Sequence, residues 1–210
     1  MSEPRAGLDA QEDGIAAVLL AAGLGARYRA RDRDLATKLV ALYRGKPLVR
    51  HVAEAALGSR AAPLIVVTGH AQERVREALA DLPAQFVHNR DYASGLASSL
   101  RTGLAAVPPA ARGALVLLAD MPAVRAHMLD REICVFAAHP TCSAVVPLHR
   151  GRPGNPVLLA RRIFADLAGA SGDRGAGAYL RSRTDVMEWE VEDEAVVFDV
   201  DEPAGLNGPI

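Results

Sequence analysis

The amino-acid sequence predicts an α/β fold, a single doubly wound and mostly parallel sheet with a small antiparallel C-terminal part. Three observations predict it. The runs Ala16-Ala17-Val18-Leu19-Leu20-Ala21-Ala22, Leu64-Ile65-Val66-Val67-Thr68 and Ala114-Leu115-Val116-Leu117-Leu118-Ala119 carry no polar alternation, which is the pattern of strands buried on both faces. Helical periodicity fills the intervals between them. Each run also stops abruptly, at Gly23, Gly69 or Asp120, and ligands of open α/β sheets bind just beyond such carboxyl ends.

In chain order, a charged stretch with Arg29, Arg31, Asp32, Arg33 and Asp34 follows the first strand and reads as a solvated loop. Pro47 opens a helix with Leu48, Val49, Val52, Ala56 and Leu57 on one face, closed by Gly58. The second strand, 64–68, leads to a helix over 71–79. Residues 85–88 read as a third strand that ends in the polar turn Asn89-Arg90-Asp91. From 96 to 106 the stripe Leu96, Leu100 and Leu104 marks a helix whose start carries Gly95, Ser98 and Ser99. The run at 114–119 is the fourth strand, and the βαβαβαβ order implies right-handed crossovers. In the last third, strands at 143–146 and 157–159 flank a turn-rich stretch. A helix over 161–167, a turn at 172–175, a short helix over 178–181 and an antiparallel hairpin of 187–191 with 195–200 complete the chain.

With 210 residues, half of them hydrophobic and only 4% aromatic, the chain builds its core from Ala, Val and Leu. A formal charge of −1 gives no basic surplus for a nucleic-acid partner, which directs attention to a small-molecule ligand. The polar residues 1–13 read as a flexible tail and 14–210 as one domain. They lack the basic-then-apolar order of a secretory leader, and no run reaches the roughly 18 apolar residues of a membrane helix. A cytoplasmic protein without membrane association is expected. Cys134 and Cys142 match neither a zinc spacing nor a disulfide framework, so both read as reduced and structural.

The first strand ends in Gly23-Leu24-Gly25-Ala26-Arg27, with Lys38 downstream. A glycine turn at a strand end lets backbone N–H groups approach an anion, so phosphate binding is expected there. The Walker spacing is absent. The dinucleotide fingerprint fails as well, because Tyr28 stands where its third glycine belongs and Thr68-Gly69 ends the second strand in place of an acid. Asp120 leaves a doubly buried strand in position to hold a metal, or else to form an Asx turn before Met121-Pro122.

The series Leu20-Ala21-Ala22-Gly23-Leu24-Gly25-Ala26-Arg27, Lys38, Asn89 with Gly95-Leu96-Ala97-Ser98-Ser99-Leu100, Leu118-Ala119-Asp120-Met121-Pro122, Gly154-Asn155-Pro156-Val157, Gly172-Asp173-Arg174-Gly175-Ala176 and Asp199-Val200-Asp201 resembles the MobA-like nucleotidyltransferase family. It is nearest to the branch that makes the cytosine dinucleotide form of the molybdenum cofactor. The resemblance implies a Rossmann-like fold and an enzyme that moves a nucleoside monophosphate from an NTP to a phosphorylated acceptor, releasing pyrophosphate. It implies a triphosphate cradle at Leu20, Ala21, Ala22, Gly23 and Gly25, with the cations Arg27 and Lys38 as catalytic groups beside Asp120. Lys46 is a rival cation.

Magnesium would be held by Asp120 and Asp201, or by Asp199 in place of Asp201, because two residues alternating on a strand face opposite ways. Gly69, Asn89, Gly95 and Ser99 complete the nucleotide side, while Ser98, Asn155 and Asp173 serve the acceptor, a molybdopterin. The Leu-Ala-Ala-Gly form favours CTP over GTP as substrate, and a molybdenum hydroxylase is a possible recipient of the product. Rival readings are transfer to another acceptor, such as a sugar phosphate or phospholactate, and a non-catalytic cofactor-binding chaperone.

Overall fold

The computed structural model describes residues 14–23, 37–169 and 176–201; the expected N-terminal tail lies outside them. Strand β1 (Ile15–Ala21) is an interior strand of an eight-stranded sheet. It pairs in parallel with β4 (Leu64–Thr68) on one side and β6 (Gly113–Leu118) on the other, and β5 (Gln85–His88) extends the sheet in parallel beyond β4. A separate hairpin, β2 (Leu42–Tyr43) with β3 (Lys46–Pro47), precedes β4 in the chain.

Beyond β6 the direction changes. Strand β9 (Val157–Ala160) lies antiparallel between β6 and β7 (Ala144–His149), β8 (Arg152–Pro153) folds back on β7, and β10 (Val186–Glu190) closes the edge in parallel with β7. The order is β10-β7-β9-β6-β1-β4-β5. The doubly wound, mostly parallel sheet is therefore present, but its antiparallel part is not the expected hairpin. Residues 186–190 pair with β7, and 194–196 form a 3-10 turn whose cap is the Asp193 side chain accepting from the Ala195 N–H. The acidic run Glu192-Asp193-Glu194 thus ends a strand without starting a partner strand.

The alternation of β1 divides the core. Ala17, Leu19 and Ala21 face α1 (Leu48–Leu57), α2 (Gln72–Ala78) and α4 (Ala126–Ala138), which enter the helical order around α3 (Leu96–Ala106). Ala16, Val18 and Leu20 face α3, α5 (Phe164–Leu167) and α6 (Gly177–Leu180). Gly103 lets α3 lie close on the sheet, since a Cβ there would stand 2.4 Å from Val18 Cγ1. Among the described residues no helix is long and apolar enough to cross a membrane.

Helix α4 has no counterpart in the sequence reading because a charged residue interrupts its apolar stripe. Glu132 takes a core position beside Leu129, Ile133 and Phe136 and is 1% exposed. Its Oε1 has no hydrogen-bond partner among the described residues. The cysteines also divide: Cys142 is buried as expected, whereas Cys134 is exposed, with Arg60 Nη2 at 3.0 Å from its sulfur.

Burial pushes the Glu132 carboxyl well above its ordinary pKa, against a weaker opposing bond from the Leu158 main chain. A carboxyl whose folded-state pKa is raised contributes its full stability below the unfolded value of about 4.3 and loses it as pH rises through the interval up to the folded value. Glu132→Gln is therefore expected to raise the thermal unfolding midpoint at pH 7–8, by a margin that shrinks toward pH 4. Scanning calorimetry of both proteins across that range checks it, and a variant less stable at pH 8 than at pH 4, relative to wild type, would refute the neutral carboxyl.

Candidate active site

The carboxyl ends of β6, β1, β4 and β5 lie side by side and deliver Asp120, Ala22, Gly69 and Asn89 to one edge of the sheet. There the structure opens a cavity of about 420 Å³. Of the residues expected at the site, Leu20, Ala22, Gly23, Lys38, Gly95, Ser99 and Asp120 line it. Gly25, Arg27 and Asp173 lie outside the described residues. Ala21 stays in the strand, 1% exposed.

Lys38 begins a 3-10 turn (Lys38–Val40) capped by the Thr37 hydroxyl. Its ammonium sits 2.7 Å from Asp120 Oδ2, 3.0 Å from Asp201 Oδ1 and 3.1 Å from the Val200 carbonyl. Burial alone would lower its pKa; the charges and hydrogen bonds of Asp120 and Asp201 outweigh that and hold it above the ordinary lysine value. Lys46, the rival cation, pairs with Glu54 on α1.

Asp120, Asp199 and Asp201 bring carboxylate oxygens within 4.8 Å of one another. The expectation that Asp199 and Asp201 face opposite ways is overturned. Residues 197–201 form no strand, so no pleat enforces alternation. This segment is instead tied to the end of β6 by the Val200 N–H donating to the Asp120 carbonyl at 2.9 Å. Asp199 is the most exposed of the three; loss of hydration on its inner side, then the charges of Asp201 and Asp120, raise its pKa.

Asn89 and Ser98 support the cavity from beneath. Asn89 is 3% exposed and donates through Nδ2 to the Ser98 and Ser99 hydroxyls at 2.8 and 3.1 Å, while its Oδ1 accepts from the Asp91 N–H. Ser98 Oγ in turn lies 2.8 Å from the Gly95 carbonyl. These bonds shape the loop 91–95, in which Gly95 takes φ +103°, a conformation that glycine adopts readily. Neither Asn89, expected on the nucleotide side, nor Ser98, expected on the acceptor side, lines either cavity.

The loop carries Tyr92, a cavity residue that the sequence reading missed. Gly69 makes room for it: a Cβ at 69 would stand 2.6 Å from Tyr92 Cβ and 2.8 Å from Ala22 Cβ. A lone aromatic in the polar turn after Asn89 was the available signal. Asn155 faces a second cavity of about 560 Å³, which shares Leu20, Leu96 and Leu118 with the first. Its other walls include Leu100, Val116, Val157 and Leu159, with Arg181, Arg183 and Glu188 as charged members.

With this geometry in view, the chain was compared with known proteins. The family model described as MobA-like NTP transferase domain matches residues 17–187. The bifunctional protein GlmU of Desulfotalea psychrophila is 31% identical over 159 residues, which are 76% of this chain and 44% of that protein. The chain spans less than half the length of the first curated relatives it matches. The crystal structure of Rv0371c from Mycobacterium tuberculosis superposes with a TM-score of 0.78 at 30% identity, covering 91% of this chain and 94% of that one. The manganese complex of that protein gives a TM-score of 0.70 at 30% identity over 84% and 88% of the two chains.

The close packing at Gly69 yields a prediction independent of activity. Gly69→Ala must displace Tyr92 or Ala22, at a cost of about 1–3 kcal/mol for overpacking. Urea unfolding measures it; an unchanged midpoint would mean that the cavity wall yields freely.

Proposed function

This chain belongs to the MobA-like NTP transferase family, and we propose that it transfers a nucleoside monophosphate, CMP from CTP, to a phosphorylated acceptor of the molybdopterin type, releasing pyrophosphate. The observation that carries the proposal is the convergence of Asp120, Asp199, Asp201 and Lys38, of which Asp120 and Lys38 line the cavity that Ala22 and Gly23 also line. Transfer between phosphates calls for positioning and charge neutralisation more than for a general base, since the attacking phosphate is already an anion.

The donor set fits a hard divalent cation. It consists of carboxylate oxygens alone, on a partly open rim, and magnesium is typically bound by one or two carboxylates together with waters and substrate phosphates. Asp120 and Asp201 would hold it, with Asp199 as a third ligand. The manganese complex of the mycobacterial relative supports a divalent ion in this role. When bound, the cation neutralises phosphate charge. The protein's own part is then Gly23, in the cavity wall just past β1, where the lack of a side chain leaves room for a phosphate, and Lys38, whose ammonium meets the α- or β-phosphate.

Cytosine is favoured by the cavity wall. Ala22 and Tyr92 both crowd Gly69 and both line the cavity, and a pyrimidine needs less room beside them than a purine. The acceptor side is supported by the second cavity, which adjoins the first and offers the Asn155 amide and the Arg181 guanidinium above an apolar floor.

Pyrophosphate release with Mg²⁺, each of the four NTPs and molybdopterin tests the proposal. CTP is expected to give the highest kcat/KM. Asp120→Asn should lower kcat by about 10²–10³, the scale for one transition-state contact, with an unchanged circular dichroism spectrum. Absence of turnover with every NTP, or full activity in Asp120→Asn, would reject it.

A further inference from the structure

We propose that Lys38 is a displaceable counter-cation: its ammonium holds the carboxylate cluster together in the resting protein and gives up that place when a divalent cation enters, which frees the lysine for phosphate. The inference rests on the divalent-ion role given to the three aspartates and not on the identity of nucleotide or acceptor.

The Lys38 ammonium has three N–H donors and three acceptors in reach, Asp120 Oδ2, Asp201 Oδ1 and the Val200 carbonyl. All are committed to the cluster. Three carboxylates within 4.8 Å of one another repel unless a cation lies among them, and Lys38 is that cation in this structure. It supplies one positive charge against three negative ones, which leaves a deficit suited to a divalent ion. Two cations on the same carboxylates repel each other: magnesium bound about 2.0–2.1 Å from these oxygens disfavours an ammonium held 2.7 and 3.0 Å from them.

The residue type suits an exchange. The chain has 24 Lys and Arg residues, and the only lysines are Lys38 and Lys46. A guanidinium would grip the carboxylates bidentately, while a compact ammonium on a flexible four-carbon stem lets go more easily. The backbone does not have to move. Ala41, Tyr43, Leu48 and Val200, with Phe198 packed against them, form a small apolar cluster that joins the Lys38 turn to the segment bearing Asp199 and Asp201. The ammonium can therefore turn toward Gly23, which shares its cavity, while the aspartates stay in place.

The two-lysine composition makes the test direct. The intact wild-type protein is treated with an amine-acetylating reagent with and without Mn²⁺, metal occupancy is read by electron paramagnetic resonance, and acetylation is read by mass spectrometry with Lys46 as internal reference. Mn²⁺ is expected to raise the Lys38-to-Lys46 labelling ratio about tenfold, as the amine leaves the three acceptors that occupy its N–H groups. A second measurement is the affinity for Mn²⁺ alone: Lys38→Met should bind it about tenfold more tightly than wild type, and Lys38→Arg no more tightly. Mn²⁺ binding with an unchanged labelling ratio, or weaker binding in Lys38→Met, would overturn the counter-cation role. Absence of Mn²⁺ binding in both proteins would instead reject the divalent-ion reading itself.

Discussion

The contact on which this site depends is the ion pair of Lys38 with Asp120 and Asp201. It joins three parts of the chain that are far apart in sequence: a 3-10 turn, the end of β6 and the segment after the last 3-10 turn. Without it, three carboxylates would face one another at the end of a sheet whose neighbouring strands are apolar. With it, they are held in a geometry that a hard cation can use. The same pairing keeps Lys38 charged in a buried place where burial alone would lower its pKa.

The fold's task is to bring these parts to one edge. Strand β6 ends at Leu118, and two residues on, the chain presents Asp120 at the carboxyl edge of the sheet, where ligands of open α/β sheets bind. Because β1 and β4 lie beside it in the same direction, their terminal residues Ala22 and Gly69 arrive at the same level. The antiparallel β9 carries the chain back from that edge, so that Asn155 enters the adjoining cavity rather than the first one. Membership of the MobA-like family agrees with this arrangement.

Much of this was legible in sequence. Three of the four parallel strands announce themselves as uninterrupted apolar runs, Gly23 and Asp120 follow from where those runs stop, and Lys38 came with the family resemblance. What failed did so for identifiable reasons. The pair Asp199 and Asp201 was read with a strand's period of two, but the segment makes no ladder and both carboxylates turn to the site. Asn89 and Ser98 were assigned to ligands by the resemblance, and their hydrogen bonds could not be read in advance: the Asn89 amide donates to the Ser98 and Ser99 hydroxyls, and Ser98 bonds the Gly95 carbonyl. Helix α4 was hidden by Glu132, a charge at a core position that no periodicity rule anticipates.

Anomalous diffraction at the manganese edge, from crystals grown with Mn²⁺ and a non-hydrolysable CTP analogue, tests the central claim most directly. The account predicts a single strong peak bound by Asp120 with Asp201 or Asp199, the triphosphate against Gly23, and Lys38 Nζ moved from the carboxylates to a phosphate oxygen. A metal bound elsewhere, or Lys38 still seated between Asp120 and Asp201 beside a bound nucleotide, would contradict it.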